Sequence, residues 1–570
     1  MANAKTINQY LALLQKMYNA DTAASILPRL DALQKKYAPQ FRNAPYLQHN
    51  ASIDQTTALL ITYGDQLRAP NEMPLHTLAD FLNAHARELI SGVHLLPFYP
   101  YSSDDGFSVM DYRAVNPGFG TWDDVTCVGK NFRLMFDLVA NHISAQSEWF
   151  QKFLQDATPY NHYFFTVARA FDTARVIRPR ALPLLTEFDT AAGKKMVWTT
   201  FSADQADLDY RNPELLLQML DVLLFYVAHG AKFLRLDAIA FLWKESGTTC
   251  LHLPQTHAVI QLIRALLNEC APHVILVTET NVPHADNISY FGDGENEAQW
   301  VYNFALPPLT LHTLQTGDAA KLAQWASTLQ TPSSQTAFFN FLASHDGIGL
   351  NPARGILSVQ EIDALVTRTL ERGGLISYKN NPDGTTAPYE MNINYFDALT
   401  VPKEAEDVSI ARFMCAQSIM LTLAGVPGIY FHSLFGSRGD RAGADSSGIA
   451  RRINREKFAR ADLEFELANQ PSRPAKIFAR FAQLLRARKQ HAAFHPRAVQ
   501  TILAHDSRVF AVLRSTGDER ALCLHNVTNA RVRFGWQDAP AQNWRSVFSG
   551  AQYNVIQIDL EPYECAWLVA

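Results

Sequence analysis

The 570-residue sequence is short of several things that would place it in a simple class. No apolar run approaches the roughly 20 residues that a membrane-spanning helix needs. The opening Met1-Ala-Asn-Ala-Lys-Thr has neither the basic start nor the continuous apolar stretch of a secretory signal, so a soluble, cytoplasmic protein without a membrane partner is expected. Cysteine is scarce: the six residues at 127, 250, 270, 415, 523 and 565 are scattered without metal-type pairs. Buried free thiols are therefore expected rather than disulfides or zinc ligands. Charge is sparse as well, at 18% of residues with a net charge of −5, which leaves no broad basic field for nucleic acid. Internal repeats and low-complexity segments are absent.

What the chain does have is apolar residues, 48% of the total, enough for a large core and more than one domain. Residues 1–55 carry Leu11, Leu13, Leu14, Met17, Ile26, Leu30 and Leu33 at helical spacing, which predicts a helical N-terminal extension. From Leu59 onward, short apolar runs alternate with amphipathic helical stretches, as parallel βα units do. Strands are expected at 59–63, 93–98, 134–139, 233–236, 274–277, 301–304, 337–342 and 429–432. Eight such strands predict a (β/α)8 barrel over residues 56–485. Two gaps, about 143–208 and 347–399, are too long for ordinary βα loops and are expected to form inserted subdomains. Residues 486–570 turn to alternating β signals, at 509–513, 521–525 and 565–569, and predict a small antiparallel C-terminal domain.

Four segments place acid, His or Arg where buried strands should end: Asp137-Leu-Val-Ala-Asn141-His142, Arg235-Leu-Asp237, Val277-Thr-Glu279 and Ser344-His345-Asp346. A barrel interior is filled with side chains, so chemistry is confined to the C-terminal strand ends and these groups read as catalytic. Cleaving a glycosidic bond with retention needs one carboxylate to attack the anomeric carbon and a second, protonated one to assist the leaving oxygen. Strand ends four, five and seven can supply that geometry.

The order of these four segments resembles the α-amylase superfamily (glycoside hydrolase family 13), whose short regions read D-x-x-x-N-H, R-x-D, a lone E after a strand, and H-D. The resemblance implies Asp237 as nucleophile, Glu279 as general acid/base and Asp346 as the carboxylate that grips sugar hydroxyls. It further implies that Arg235 orients Asp237 and that His142 and His345 bind the glucose ring, with Asp137 and Asn141 in structural support. Further stretches, Gly92-Val-His-Leu-Leu-Pro-Phe, Asp105-Gly-Phe-Ser, Phe304-Ala-Leu-Pro-Pro-Leu and Ile453-Asn-Arg among them, are similar to the sucrose phosphorylase branch. By that likeness Asp104 binds glucose hydroxyls, Phe107 forms a platform near the reacting carbon, Arg451 binds sugar, and Arg180 with Tyr389 holds phosphate.

The chain departs from sucrose phosphorylases at Asn281, where they have His, at Glu390, where they have Gln, and at Arg452, where their motif has Asp. The loops at 347–357, 377–384 and 435–440 look instead like the glucosylglycerate phosphorylases of the same branch. A glycerate carboxylate would need cationic partners, for which Arg438, Arg441 and Arg452 are available. The reading is therefore a retaining phosphorylase acting on a glucosylglycerate. It would work as a monomer or homodimer, with inorganic phosphate as co-substrate and neither cofactor nor metal. The alternatives are a sucrose or sucrose 6′-phosphate phosphorylase, an α-glucoside hydrolase or transglucosylase, and an inactive barrel serving as a scaffold.

Overall fold

The structure, a computed structural model, describes residues 4–43, 53–168, 170–381, 383–537, 539 and 543–570. Residues 1–3 and 44–52 of the expected N-terminal extension lie outside the described residues. Eight parallel strands close into a barrel: β1 (Leu59–Thr62), β2 (Gly92–Leu95), β3 (Arg133–Val139), β4 (Ala231–Asp237), β5 (Ile275–Thr278), β6 (Trp300–Tyr302), β7 (Ala337–Asn340) and β8 (Val426–Tyr430). Each pairs with its neighbours in chain order, and β1 closes the ring against β8. The strands are buried on both faces, which is why they read as continuous apolar runs rather than as alternation. Several expected strands run too far at their C-terminal ends: β2 stops at Leu95 instead of Phe98, β6 at Tyr302 instead of Phe304, β7 at Asn340 instead of Leu342 and β8 at Tyr430 instead of His432. Pro97 has no N–H to give a ladder and turns the chain onto the active face.

The helices Ala4–Leu14 and Ala20–Asn43 lie outside the barrel, against the helices Pro213–Ala228 and Pro254–Cys270 that flank β4. They are fastened by Arg29 to Glu214 at 2.7 Å, by Lys36 to Asp221 at 2.7 Å, and by the Tyr18 hydroxyl, which donates to the Tyr210 carbonyl at 2.7 Å.

Between β3 and β4 the chain rises into a subdomain in which His142–Ser144 pairs with Gln205–Asp207, and Leu185–Thr190 forms a hairpin with Gly193–Trp198. Between β7 and β8 a second excursion builds a three-stranded antiparallel sheet from Ile348–Gly349, Thr386–Asn392 and Leu375–Asn380. Beyond the helix Arg473–Gln490 a six-stranded antiparallel sheet runs from Val499 to Val569. It docks on the helix Glu406–Thr422 through Ser418, which receives the Trp567 indole N–H at 2.9 Å and lies 2.9 Å from His525 Nε2. Arg514 completes the seam by donating to the Thr422 carbonyl at 2.8 Å. Among the described residues no helix is long and apolar enough to cross a membrane.

Candidate active site

The C-terminal end of β4 sets the centre of the site. Arg235 and Asp237 are two residues apart on one strand, so their side chains share a face. The Arg235 guanidinium donates to Asp237 at 2.8 Å and also to Asp137 on the adjacent β3, and it lies 4.0 Å from Glu279 beyond β5. Arg235 is itself wedged between the rings of Phe107 and Tyr302, at 5.7 and 5.4 Å. One immobile cation thus serves three carboxylates. Immediately after Asp237 the chain leaves the strand through Ala238, held in the left-handed conformation at φ 50°. That turn aims the Ala238 N–H at Glu279 Oε2, 3.2 Å away.

Burial away from water favours the neutral form of both Asp237 and Glu279 and pushes both above their ordinary values. Arg235 opposes the shift, and mutual repulsion among Asp237, Glu279 and Asp346 adds to it. Because Arg235 touches Asp237 and stands off from Glu279, charge is favoured on Asp237 and the shared proton on Glu279. Asp137 behaves oppositely. Burial raises it too, but His94 at 2.6 Å and Arg235 outweigh that and hold it down at about 2.

A second layer fixes Asp346, just beyond β7 where the second excursion begins. Its carboxylate lies 2.5 Å from Arg451 Nη1 and 3.8 Å from Arg455 Nη2, and Asn454 donates to its carbonyl at 3.1 Å. Arg451 is held from behind by fully buried Glu390 in a bidentate pair at 2.9 and 2.6 Å. Fully buried Arg455 spans Asp104 at 3.2 Å, Asp105 at 2.9 Å and the His345 carbonyl at 2.9 Å. Asp104 and Asp105 are both left-handed, at φ 51° and 47°, ahead of Gly106 at φ 113°. A side chain on Gly106 would collide with the Pro97 carbonyl, so this tight turn, which presents Asp104 to the pocket, requires glycine. Non-glycine residues in this conformation store strain of roughly 1–3 kcal/mol each, which the Arg455 pairs offset.

Phe107 stacks on His345 with ring centroids 4.6 Å apart and planes 6° from parallel. His142 Nε2 lies 2.9 Å from the Phe107 carbonyl, so the bond that fixes Phe107 comes from the histidine ring. Burial holds both histidines neutral, His345 strongly so. Arg180, from the first subdomain, lies over the rings of Tyr389 and Phe201 at 5.5 and 5.9 Å.

One pocket is lined by Asp237, Glu279, Asp346, Asp104, Phe107, His142, His345, Arg180, Tyr389 and Arg451, with Asn281 and Gln205. Arg235 sits beneath it. Three of the expected residues are placed elsewhere. Arg438 pairs with Asp397 at 2.6 Å, and Arg441 with Asp445 at 3.0 Å and the Gly373 carbonyl at 2.6 Å. Arg452 lies behind the pocket wall, 2.9 Å from Asp105. In each case a local acid has claimed the cation. The sequence reading gave no role to Arg455, Asp105 or the Glu390–Arg451 pair. The signal was present for Arg455, which ends the same motif that flagged Arg451, but acids 61 and about 350 residues away are needed to see what these arginines hold. Among the described residues no group of three or more His, Cys, Asp or Glu side chains is arranged to hold a metal ion.

Comparison with known proteins agrees with this geometry. Residues 88–352 match the catalytic domain of the α-amylase family. Over 96% of its length the chain is 51% identical to the glucosylglycerate phosphorylase of Allomeiothermus silvanus, covering 96% of that protein. It is 44% identical to the glucosylglycerate phosphorylase of Escherichia coli over 90% of this chain and 92% of that one. The sucrose phosphorylase of Agrobacterium vitis is more distant, at 31% identity over 76% of this chain and 88% of the relative. The crystal structure of sucrose 6F-phosphate phosphorylase from Thermoanaerobacter thermosaccharolyticum shares the fold, with a TM-score of 0.73, 23% identity, and coverage of 84% of this chain and 96% of that one. The chain belongs to the α-amylase family, in its sucrose phosphorylase branch, among relatives named glucosylglycerate phosphorylases.

Proposed function

We propose that the protein catalyses the reversible phosphorolysis of 2-O-α-glucosyl-glycerate to α-D-glucose 1-phosphate and glycerate, with retention at the anomeric carbon. The observation that carries this reading is one pocket holding two unlike carboxylates on Arg235 together with Arg180, a guanidinium stacked on Tyr389. Asp237, kept charged by Arg235, attacks C1; the bond to the glycerate oxygen breaks as Glu279 delivers its proton there. A phosphate oxygen then attacks C1, the ester bond to Asp237 breaks, and the phosphate proton returns to Glu279. Asp346 and Asp104 are assigned to the glucose hydroxyls, and Arg180 with Tyr389 to phosphate, since a guanidinium presents paired donors to an oxyanion.

Tyr389 keeps its proton because burial raises the phenol far above its ordinary range, so it approaches phosphate as a donor. On the acceptor side, Asn281 stands on the pocket wall where sucrose phosphorylases carry His. For Arg438 or Arg441 to reach glycerate, the 436–448 segment would have to break the pairs with Asp397 and Asp445. We further read the protein as a cytoplasmic enzyme that needs only its two small-molecule substrates.

The test is release of glycerate and α-glucose 1-phosphate from glucosylglycerate, with sucrose in parallel, each with and without phosphate. Phosphate-dependent turnover of glucosylglycerate is expected. Preference for sucrose would remove the glycerate assignment, and phosphate-independent glucose release would make the enzyme a hydrolase.

A further inference from the structure

The turn that presents Asp104 and Phe107 to the pocket is held at two places. Residues 101–109 form a narrow loop: Tyr101 bridges Val109, the Ser102 N–H donates to the Ser108 carbonyl at 3.1 Å, and the Met110 N–H donates to the Pro100 carbonyl at 2.7 Å. Arg455 grips the acids at the tip of this loop. The second hold comes from Asp204, which belongs to the first subdomain and stands one residue before the strand Gln205–Asp207.

A single Asp204 oxygen, Oδ2, accepts hydrogen bonds from three hydroxyls of the loop: Ser102 at 2.5 Å, Ser108 at 2.7 Å and Ser103. The Ser144 hydroxyl donates to the other oxygen at 3.3 Å and lies 2.6 Å from the Ser102 hydroxyl. Ser103 immediately precedes Asp104 and Ser108 immediately follows Phe107, so the hydroxyls bracket the turn. Ser108 and Ser144 are fully buried. Behind the carboxylate, the Asp204 carbonyl accepts the Ala145 N–H at 2.8 Å. Beside it, the Gln205 amide donates to the Phe107 carbonyl at 3.3 Å.

A serine hydroxyl that only finishes a local turn finds its partner a few residues away. Here the acceptor lies 60 to 102 residues from its four donors, and among the described residues no cation pairs with it. Hydrogen bonds to a carboxylate are also shorter and stronger than those between neutral groups. What Asp204 gathers is therefore the loop itself, at the two points where it enters and leaves the turn.

We propose that Asp204 is a positioning residue for the sugar site: from outside the pocket lining, it fixes where the Asp104 carboxylate and the Phe107 ring meet glucose. The identity of that sugar rests on the proposed function. A shift of about 1 Å in a group that orients a reactant can cost on the order of 10²-fold in rate, so a hold of this kind acts on turnover without touching the substrate.

The experiment compares wild type with Asp204→Ala, Asp204→Asn and Ser103→Ala. The donors are α-D-glucosyl fluoride, which reports glucosyl transfer whatever the natural acceptor, and glucosylglycerate, with D-glucose as competitive inhibitor. Asp204→Ala is expected to raise the glucose inhibition constant about tenfold and to lower kcat/KM for both donors by a similar factor. Asp204→Asn keeps an oxygen for the hydroxyls and should stay within about threefold of wild type. Ser103→Ala removes one of the four donors and should raise the inhibition constant about two- to threefold. A merely structural loss would shrink the fraction of active enzyme, lowering kcat and leaving the inhibition constant in place. That result, or an Asp204→Ala enzyme that behaves as wild type, would overturn the proposal. Should Asp204→Ala fail to fold, an unchanged inhibition constant in Ser103→Ala would overturn it. A wild type that cleaves the fluoride but ignores glucosylglycerate would strike the proposed function alone, with the variants still reporting on Asp204. A wild type that takes neither donor nor glucose would strike both.

Discussion

The strand-end floor of the pocket and the loop rim above it hold arginines of opposite character. On the floor, Arg235 and Arg455 are buried and Arg451 is mostly so, and each binds two or more acids, at least one of them from a distant part of the chain. On the rim, Arg438 and Arg441 are about half exposed, at 46% and 49%, and each pairs with a single acid. A buried ion pair is costly to break because the charge left behind has no water to turn to, whereas an exposed pair contributes about 0–1 kcal/mol. The floor is therefore preorganised and the rim exchangeable. That division suits an enzyme whose sugar site must stay fixed while acceptor and phosphate trade places.

The sharpest break should come at the floor. Glu279→Gln keeps the shape and removes the transferable proton, and it is expected to lower kcat/KM by about 10³-fold, in the range usual for general acid catalysis. Asp237→Asn should do at least as much, since no covalent intermediate can form. The pH profile carries a matching sign. Glu279 sits above its ordinary 4.5, so kcat/KM should fall on the alkaline side only once pH passes that raised value, and rise on the acid side as Asp237 ionises. Linkage runs the same way: a raised folded pKa gives stability that is present in full below 4.5 and is lost as pH rises through the folded value. Glu279→Gln should thus be more stable than wild type at neutral pH while nearly inactive, a combination that thermal melts across pH would detect.

The same floor was the legible part of the sequence. Asp237, Glu279 and Asp346 end apolar runs, and a strand that must be buried on both faces announces its end when a charge is admitted. Arg235 was readable because its partner is two residues away. The hidden part consists of pairs made across the chain: Glu390 sits 61 residues from Arg451, and Asp105 lies 350 from Arg455. No local pattern encodes such meetings. Arg438 and Arg441 show the converse. Loop composition advertised free cations, but Asp397, 41 residues before Arg438, and Asp445, one helical turn after Arg441, take them up.

A middle-sized test moves to the second layer of the floor. Arg451→Met would leave Glu390 buried without a partner, and the expected loss of stability is about 3 kcal/mol in denaturant unfolding. Glu390→Gln removes one charge but leaves Arg451 its contact with Asp346 at 2.5 Å, and should cost about 1 kcal/mol. The two losses together should exceed that of the double variant Arg451→Met/Glu390→Gln, in which no charge is stranded. If the three values simply add, the pair is not acting as a unit and the preorganised floor is narrower than the geometry describes.

Arg180→Ala should act at the border between the two regions. With the guanidinium over Tyr389 gone, the phosphate KM is expected to rise about tenfold or more, with a larger share of glucose appearing by hydrolysis, because water needs no cation to compete for the glucosyl group. The ratio of glucose to α-glucose 1-phosphate in one assay reads this directly.

The smallest effects belong to the rim itself, and they decide how exchangeable it is. Arg438→Ala and Arg441→Ala each remove a half-exposed ion pair, so folding stability should change by less than about 1 kcal/mol. If the pairs with Asp397 and Asp445 persist during turnover, kinetics should barely move as well. If the 436–448 segment swings inward to meet the acceptor, KM for glycerate in the synthetic direction should rise in one variant while KM for α-glucose 1-phosphate stays put. Asp445→Asn separates the two cases. It frees Arg441 from its i,i+4 partner without touching the pocket, so a lowered KM for glycerate is expected from a rim that moves, and no change from one that stays closed.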